Sequence, residues 1–176
     1  MAVVEAISTT YLEADAANIT FSSIPSTYQH LQVRGTMHTN NSSDALSLFI
    51  QMGDGGSVDT GSNYSHCYMT GQSSTAEYSG NVVSATYFRL YDYVGGINSP
   101  IANYGYIDIM FADYASTDKN TSFLESGGFI GTGDKKVAQG GGVWDDTAAV
   151  DIIKFYPASG DFSRGTNLTL YGWNSS

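Results

Sequence analysis

Short segments in which apolar and polar residues alternate run along most of the chain. In residues 28–39, for example, Leu31, Val33 and Met37 share one face, and most of the residues between them are polar. A period of two places successive side chains on opposite faces of a strand, and no segment sustains the 3.6-residue period of an amphipathic helix. The pattern therefore predicts strands with one buried face and one wet face.

Ten segments carry the strand pattern, separated by clusters of Gly, Asn, Asp and Ser that favour turns. The predicted strands are residues 2–12, 18–21, 28–39, 45–52, 64–70, 84–93, 102–113, 121–130, 148–156 and 166–173. Ten strands in 176 residues, with no linker or repeat between them, fit a single domain over residues 1–176. The predicted fold class is all-β, an antiparallel two-sheet sandwich.

Residues 127–142 are the most irregular region, because glycines crowd both ends of the segment. One interpretation is a mobile loop or an interface arm. The other is a long hairpin with residues 132–136 at its tip, where Asp and Lys are ordinary turn residues. Lys135 and Lys136 are candidate interface residues under either interpretation.

Charge argues against nucleic acid as a partner. The chain has 17 acidic and 7 basic residues, which gives a formal net charge of -10. A surface of this kind repels phosphate backbones and anionic membranes, so we expect neither nucleic acid nor membrane as a direct partner. The first residues lack the basic start and apolar run of a secretory signal, which leads us to expect synthesis in a cytosol.

Motifs of enzymes and nucleotide-binding proteins are missing from the sequence. There is no Gly-X-Ser-X-Gly, no P-loop and no dinucleotide-binding glycine pattern. Cys67 is the only cysteine, and a small buried residue is the favoured interpretation of it over a catalytic thiol. Asp145 and Asp146 point apart on an extended chain, so they favour a polar turn over a glycosidase pair. We expect no catalytic residue and no cofactor.

Metal binding is also disfavoured by the spacing of possible ligands. His30 and His38 lie on one strand face but roughly 26 Å apart at strand rise, which prevents them from sharing a zinc ion. Asp54, Asp59 and Asn63 lie in a glycine-rich loop, where hard oxygen ligands could hold calcium. The same residue types dominate ordinary turns, which is the preferred interpretation, and we expect no metal site.

Aromatic residues give the clearest candidate contact surface. The chain has 13 Tyr, 8 Phe and 2 Trp. Strand alternation places Tyr87, Arg89, Tyr91 and Tyr93 on one face, which could bind protein or sugar or could form a structural cross-strand ladder. Trp144 completes the set of candidate interface residues, since aromatic side chains suit interfaces.

Three segments resemble virion proteins of tailed bacteriophages. They are residues 18–35 (Asn-Ile-Thr-Phe-Ser-Ser-Ile-Pro-Ser-Thr-Tyr-Gln-His-Leu-Gln-Val-Arg-Gly), residues 61–66 (Gly-Ser-Asn-Tyr-Ser-His) and residues 166–173 (Thr-Asn-Leu-Thr-Leu-Tyr-Gly-Trp). The family includes capsid decoration (cement) proteins and tail fibre domains. The resemblance implies a β-sandwich, often of the jelly-roll type, on the outside of a particle, and it carries over no catalytic residue.

Assembly is the function that these expectations favour. The preferred hypothesis is a non-enzymatic capsid decoration protein, assembled in the host cytoplasm and carried on the outer surface of the virion. Its expected partners are the major capsid protein and itself, as a symmetric oligomer such as a homotrimer. The alternative is a tail fibre or receptor-binding domain that recognises host surface glycans.

Overall fold

Thirteen strands and no helix make up the regular structure of the described residues. The computed structural model describes residues 3–43, 45–73, 77–96, 103–131 and 135–174. In chain order the strands are β1 (Val3–Tyr11), β2 (Ile19–Phe21), β3 (His30–Met37), β4 (Ala45–Asp54), β5 (Ser57–Val58), β6 (Tyr64–Gln72), β7 (Tyr78–Ala85), β8 (Phe88–Gly95), β9 (Gly105–Ala112), β10 (Thr121–Ile130), β11 (Lys135–Trp144), β12 (Ile152–Pro157) and β13 (Asn167–Asn174). The described part of the chain contains no helical segment with the length and hydropathy needed to cross a bilayer.

Antiparallel ladders join the strands into two sheets. The larger sheet has eight strands in the order β1-β13-β3-β9-β10-β11-β6-β7. The smaller sheet has the order β2-β12-β4-β5, and β8 pairs with β4 as its fifth strand. The chain passes repeatedly between the sheets, which confirms the predicted all-β, antiparallel, jelly-roll-like sandwich. The assignment of residues 1–176 to one domain stays a prediction.

Alternating residues of the two sheets form the core. Leu31 on β3 lies opposite Phe111 on β9, and both side chains are fully buried. On the smaller sheet, Leu48 of β4 lies opposite Leu90 of β8, and both are again buried. Since every second residue of these strands points inward, the apolar halves of the predicted alternating segments meet between the sheets.

One predicted segment matches its observed strand, and another is divided between two strands. Residues 121–130 form β10 with the predicted bounds, but residues 84–93 do not form one strand. Instead β7 ends at Ala85 and β8 begins at Phe88, and Ser84 has a left-handed φ of 54°. The prediction was wrong there because the backbone at Ser84 breaks the regular extended path.

The hairpin interpretation of residues 127–142 is confirmed. β10 and β11 pair along their whole length, from Thr121 opposite Trp144 to Ile130 opposite Lys135. Residues 132–134, at the predicted tip, lie outside the described residues. The segment therefore contains the end of β10 and most of β11. The glycines that suggested a loop lie within the β10–β11 pairing.

Glycines within β11 are required by close packing on both sides of the strand. A Cβ on Gly142 would lie 2.6 Å from the Ser65 carbonyl oxygen and 2.7 Å from Phe123 Cε1. A Cβ on Gly71, in the neighbouring strand β6, would have only Val137 Cγ1 within 4 Å, at 3.5 Å. The first position has no space for a side chain, whereas the second has ordinary van der Waals space.

Substitution of these two glycines should therefore have different effects. Gly142→Ala is expected to lower the free energy of unfolding by about 1–3 kcal/mol, because the new methyl group forces the backbone or Phe123 to move. Gly71→Ala is the matched control and should change it by less than about 0.5 kcal/mol. Chemical denaturation monitored by tryptophan fluorescence gives both values. Equal effects at the two positions would contradict this account of the packing.

Candidate functional site

Two of the predicted contact residues, Arg89 and Tyr91, lie on strand β8, and a third, Tyr87, directly precedes it. Phe88 and Leu90 are buried in the core, whereas Arg89 between them is exposed, and Tyr87 and Tyr91 are half-buried. The alternation predicted for Tyr87, Arg89 and Tyr91 is thus present in the structure. The side chain of Tyr93, the fourth predicted residue, lies outside the described part.

Aromatic side chains from four strands extend this face. Tyr87 stacks on Phe49 of β4, with ring centroids 4.2 Å apart, and Phe49 contacts Tyr156 of β12 edge to face at 5.4 Å. Tyr91 stacks on Tyr68 of β6 at 3.8 Å. Such ring pairs stabilise a sheet by about 0.5–1.5 kcal/mol each beyond simple burial. The structural-ladder interpretation therefore holds for these rings, and Arg89 is the polar group held among them.

The position of Arg89 is fixed by two contacts. Its Nε donates a hydrogen bond to Ser47 Oγ at 3.1 Å, and its guanidinium carbon lies 4.2 Å from the centre of the Tyr91 ring. Among the described side chains, no carboxylate lies within ion-pair distance of Arg89. The guanidinium therefore has N–H groups left for a carboxylate or phosphate, the groups that its planar fork matches.

His66 of β6 lies below this face, where it lines an opening together with Val82 of β7 and Arg89 of β8. Its side chain is only 6% exposed, and neither ring nitrogen makes a hydrogen bond of normal geometry within the described part. Burial lowers the pKa of His66, and the charge of Arg89 lowers it further, while the nearby backbone of Arg89 partly opposes both effects. His66 is therefore a neutral imidazole at pH 7, with one nitrogen to donate and one to accept.

Removal of the Arg89 charge should raise the pKa of His66. The positive charge of Arg89 disfavours the protonated imidazole, and Arg89→Gln removes that charge. The substitution leaves the burial of His66 in place. We expect the pKa of His66 to rise in the variant and to stay below the ordinary value of 6.5. Titration of the His66 ring protons by NMR measures it. An unchanged pKa would show that Arg89 does not act on this imidazole.

Trp144 is a core residue, so its assignment to an exposed interface was wrong. The side chain is fully buried at the end of β11. Its Nε1 donates to Asp59 Oδ2 at 2.8 Å, Asn63 Nδ2 donates to the same oxygen at 2.8 Å, and the Gly61 amide donates to Oδ1 at 2.7 Å. A tryptophan can be buried completely when its indole N–H has an acceptor, and Asp59 is that acceptor.

The same network explains the loop that had suggested calcium. Both carboxylate oxygens of Asp59 already accept hydrogen bonds, and Asn63 is one of the donors. Burial raises the pKa of Asp59, but the bonds from Trp144, Asn63 and Gly61 together outweigh burial and lower it. The described residues contain no group of three or more His, Cys, Asp or Glu side chains placed to hold a metal ion. Asp59 acts in the packing of the loop.

Replacement of Trp144 by Phe should destabilise the fold in a pH-dependent way. Trp144→Phe removes one donor to a carboxylate, which we expect to cost about 1–3 kcal/mol of unfolding free energy. The folded state lowers the pKa of Asp59, so ionised Asp59 stabilises the fold at pH values above its unfolded pKa. This stabilisation is lost as the pH falls through the pKa of Asp59 in the folded protein. The cost of Trp144→Phe should therefore shrink over the same pH range. Denaturation curves of wild type and Trp144→Phe at several pH values measure the difference in their unfolding free energies.

Trp173→Phe is the matched control for that measurement. The indole of Trp173 donates to Gln32 Oε1 at 3.0 Å, and this acceptor carries no charge. The cost of Trp173→Phe should therefore stay constant over the same acidic range. Parallel pH dependence of the two variants would contradict the role given to Asp59.

A second surface lies on the outer face of the larger sheet. We call it the apolar face: the outward-pointing residues of β10, β11, β6 and β7. Its exposed apolar side chains include Leu124 (74% exposed), Val83 (67%), Met69 (63%) and Val137 (63%). Cys67 is also exposed here, so the expectation of a buried cysteine was wrong. A contiguous apolar surface of this kind is typical of an interaction site.

A scarcity of charged residues distinguishes the apolar face from the rest of the sheet. No outward position of these four strands carries an acid, and Lys135 at the hairpin end is their one outward basic residue. The other half of the sheet is polar: on its outer side Arg34 of β3 pairs with Asp108 of β9 at 2.8 Å. Gly141 lies at the centre of the apolar face, where a Cβ would lie 3.1 Å from Leu124 Cδ2. Leu124 thus leans over a position that has no side chain.

The two predicted lysines lie at the start of β11. Lys135 is exposed on the outer side of the sheet, and Lys136 is half-buried on the other side. Lys135 therefore lies on the opposite side of the larger sheet from Tyr68, the β6 residue that stacks on Tyr91.

Comparison with known proteins gives only weak structural similarities. No family model matches the chain, and no curated protein matches it in sequence. The chain shows a weak structural similarity to CG-16, a homodimeric agglutinin from chicken liver (9% identity, 96% of this chain and 99% of that chain, TM-score 0.26). Two others are the CBM2 module of the evolved Dit of Lactobacillus casei BL23 phage J-1 (8% identity, 90% and 69%, TM-score 0.27) and Scytalido-glutamic peptidase (13% identity, 92% and 65%, TM-score 0.25). Similarities at these TM-scores assign no function.

Proposed function

We propose that this chain is a non-enzymatic virion structural protein that associates with copies of itself and decorates the exterior of a tailed-phage capsid. The observation that carries the proposal is the apolar face, where exposed Leu, Met and Val side chains lie side by side and the one described acid beside them, Glu77, lies at the margin just before β7. The resemblance of residues 18–35, 61–66 and 166–173 to virion proteins supports the location on a particle.

Charge supports a second copy of this chain as the occupant of the apolar face. Two copies that each carry a formal charge of -10 repel one another, so they can associate closely only through a surface without acidic residues. A strongly basic partner would instead be recognised by acidic side chains, which the apolar face does not have. Self-association is therefore the use that fits this surface.

The size of the apolar face is adequate for such an interface. Four adjacent strands with about eight residues each cover roughly 19 Å by 27 Å at the usual strand spacing and rise. That is about 500 Å² per copy, so a pair of copies would bury about 1,000 Å², the lower limit for a specific interface. Contacts from the neighbouring strands would add to this area.

Symmetric assembly then explains how a small domain could stabilise a capsid. A closed symmetric oligomer, for which we propose a trimer whose apolar faces meet around one axis, presents the same capsid-binding surface several times. Multivalent contact then strengthens binding without new chemistry. The major capsid protein is the proposed second partner, and the outer surface of the virion the proposed location. No catalytic residue is part of this proposal.

A lysine on the apolar face should dissociate the oligomer. Leu124→Lys adds a positive charge to each copy at the centre of the proposed contact, and an unpaired buried charge is strongly unfavourable. We expect wild type to have the light-scattering mass of a closed oligomer and the variant that of a monomer with an unchanged far-UV circular dichroism spectrum. The variant should melt at a lower temperature, because it lacks the stabilisation that association gives. Val4→Lys, an exposed aliphatic residue at the opposite edge of the sheet, is the matched control and should stay oligomeric.

The reactivity of Cys67 independently measures whether a second copy covers the apolar face. Because the thiol is exposed in one copy, it should react slowly with a thiol reagent in the oligomer and rapidly in Leu124→Lys. Co-sedimentation with capsids assembled from the major capsid protein of the same virus tests decoration separately. A monomer with rapid Cys67 reaction at all concentrations would overturn self-association, and an oligomer that ignores capsids would overturn decoration.

A further inference from the structure

A β-bulge lies near the end of β7, just before the gap between β7 and β8. Tyr64 lies opposite Ala85 and His66 opposite Val82, so Ser65 faces two residues of β7, and Ser84 is one of them. The left-handed φ of 54° at Ser84 is unfavourable for a residue with a side chain. Bulges and strained residues of this kind concentrate at ligand sites, where they redirect side chains. Here the bulge borders an opening of about 350 Å³.

A buried polar group with incomplete hydrogen bonding lies in the lining of this opening. His66 is more than nine-tenths buried, and neither ring nitrogen makes a hydrogen bond of normal geometry in the described part of the chain, although the Arg89 backbone lies close enough to favour the protonated ring. Such an imidazole loses hydrogen bonds that it makes with water in the unfolded chain. A ligand with a hydroxyl group would restore one of these bonds.

Arg89 supplies the single charge among the described residues that line the opening. The lining consists of His66, Val82, Ala85, Arg89 and the hydroxyl-bearing residues Ser84, Thr86, Tyr87 and Tyr91. No acid is among these residues, although acids outnumber bases in the whole chain. Since Ser47 and Tyr91 hold the guanidinium in place, its remaining N–H groups are pre-organised for an oxyanion. An anionic group is therefore favoured at this point of an otherwise acidic molecule.

Tyr87 contributes an aromatic wall. Phe49 stacks on one face of its ring, and no other described ring stacks on Tyr87. The second face can pack against the C–H face of a sugar ring, an amphipathic contact that tyrosine suits. The opening thus combines an oxyanion site, a hydroxyl site and an aromatic wall.

We propose that the opening between β7 and β8 binds a sugar that carries a carboxylate, such as a hexuronate unit of an acidic polysaccharide. Arg89 pairs with the carboxylate, the sugar ring packs on Tyr87, and a ring hydroxyl exchanges a hydrogen bond with His66. The site uses the inner face of β6 and the edge of β7, so it does not rest on self-association through the apolar face.

Titration with small probes tests this site directly. In NMR spectra of the full chain, D-glucuronate should shift the His66 ring resonances in a saturable way at millimolar concentration, whereas D-glucose should bind at least tenfold more weakly. Arg89→Gln should reduce the affinity for glucuronate at least tenfold while the melting temperature stays unchanged. Arg164→Gln, an exposed arginine outside the opening, is the matched control and should bind as wild type does.

Three results would overturn the proposal. Equal shifts with glucose and glucuronate would remove the role of the carboxylate, and inorganic phosphate that binds as tightly as glucuronate would remove the role of the sugar. Loss of binding in Arg164→Gln as well as Arg89→Gln would show general charge attraction. The monomeric Leu124→Lys variant should bind glucuronate like wild type, so failure of this site and failure of self-association are distinguishable.

Discussion

Phe88 joins the two sheets at the edge where both candidate surfaces lie. Its strand, β8, belongs to the smaller sheet through its pairing with β4, yet the Phe88 ring packs edge to face on Tyr64 of β6 at 4.8 Å and on Phe123 of β10 at 4.5 Å. Because side chains alternate along β8, burial of Phe88 and Leu90 turns Arg89 outward and sets it above His66. The oxyanion site thus follows from an aromatic contact of the core.

Close packing around β11 links the core to the apolar face. Gly142 lets Phe123 and the backbone of Ser65 approach the inner side of the strand, and Gly141 leaves the hollow that Leu124 covers on the outer side. One run of glycines therefore satisfies two different requirements on the two faces of a strand. The intrinsic weakness of glycine in a strand is offset by pairing with β10 and β6 along the whole of β11.

Local pattern was enough to predict the fold class but not the surfaces. Residues 121–130 alternate cleanly and form β10 as predicted, whereas the glycines of β11 and the left-handed Ser84 have no reliable local signal. Burial of Trp144 depends on Asp59, which is 85 residues away in the chain. The apolar face requires the strand order: Met69, Val83 and Leu124 belong to three strands, and each exposed residue alone is ordinary.

Strand β6 separates the two surfaces, because His66 points inward and the next residue, Cys67, points outward. Copies that meet through their apolar faces would cover Cys67 and leave the opening beside His66 accessible. Copies that pair through the free edge of β7 would extend the sheet and close the same opening. The exposed Leu124, Val137 and Met69 lie on strands inside the sheet and not on the edge strand β7. Contact through the apolar faces is therefore favoured, and one molecule could then assemble and bind an acidic sugar at the same time.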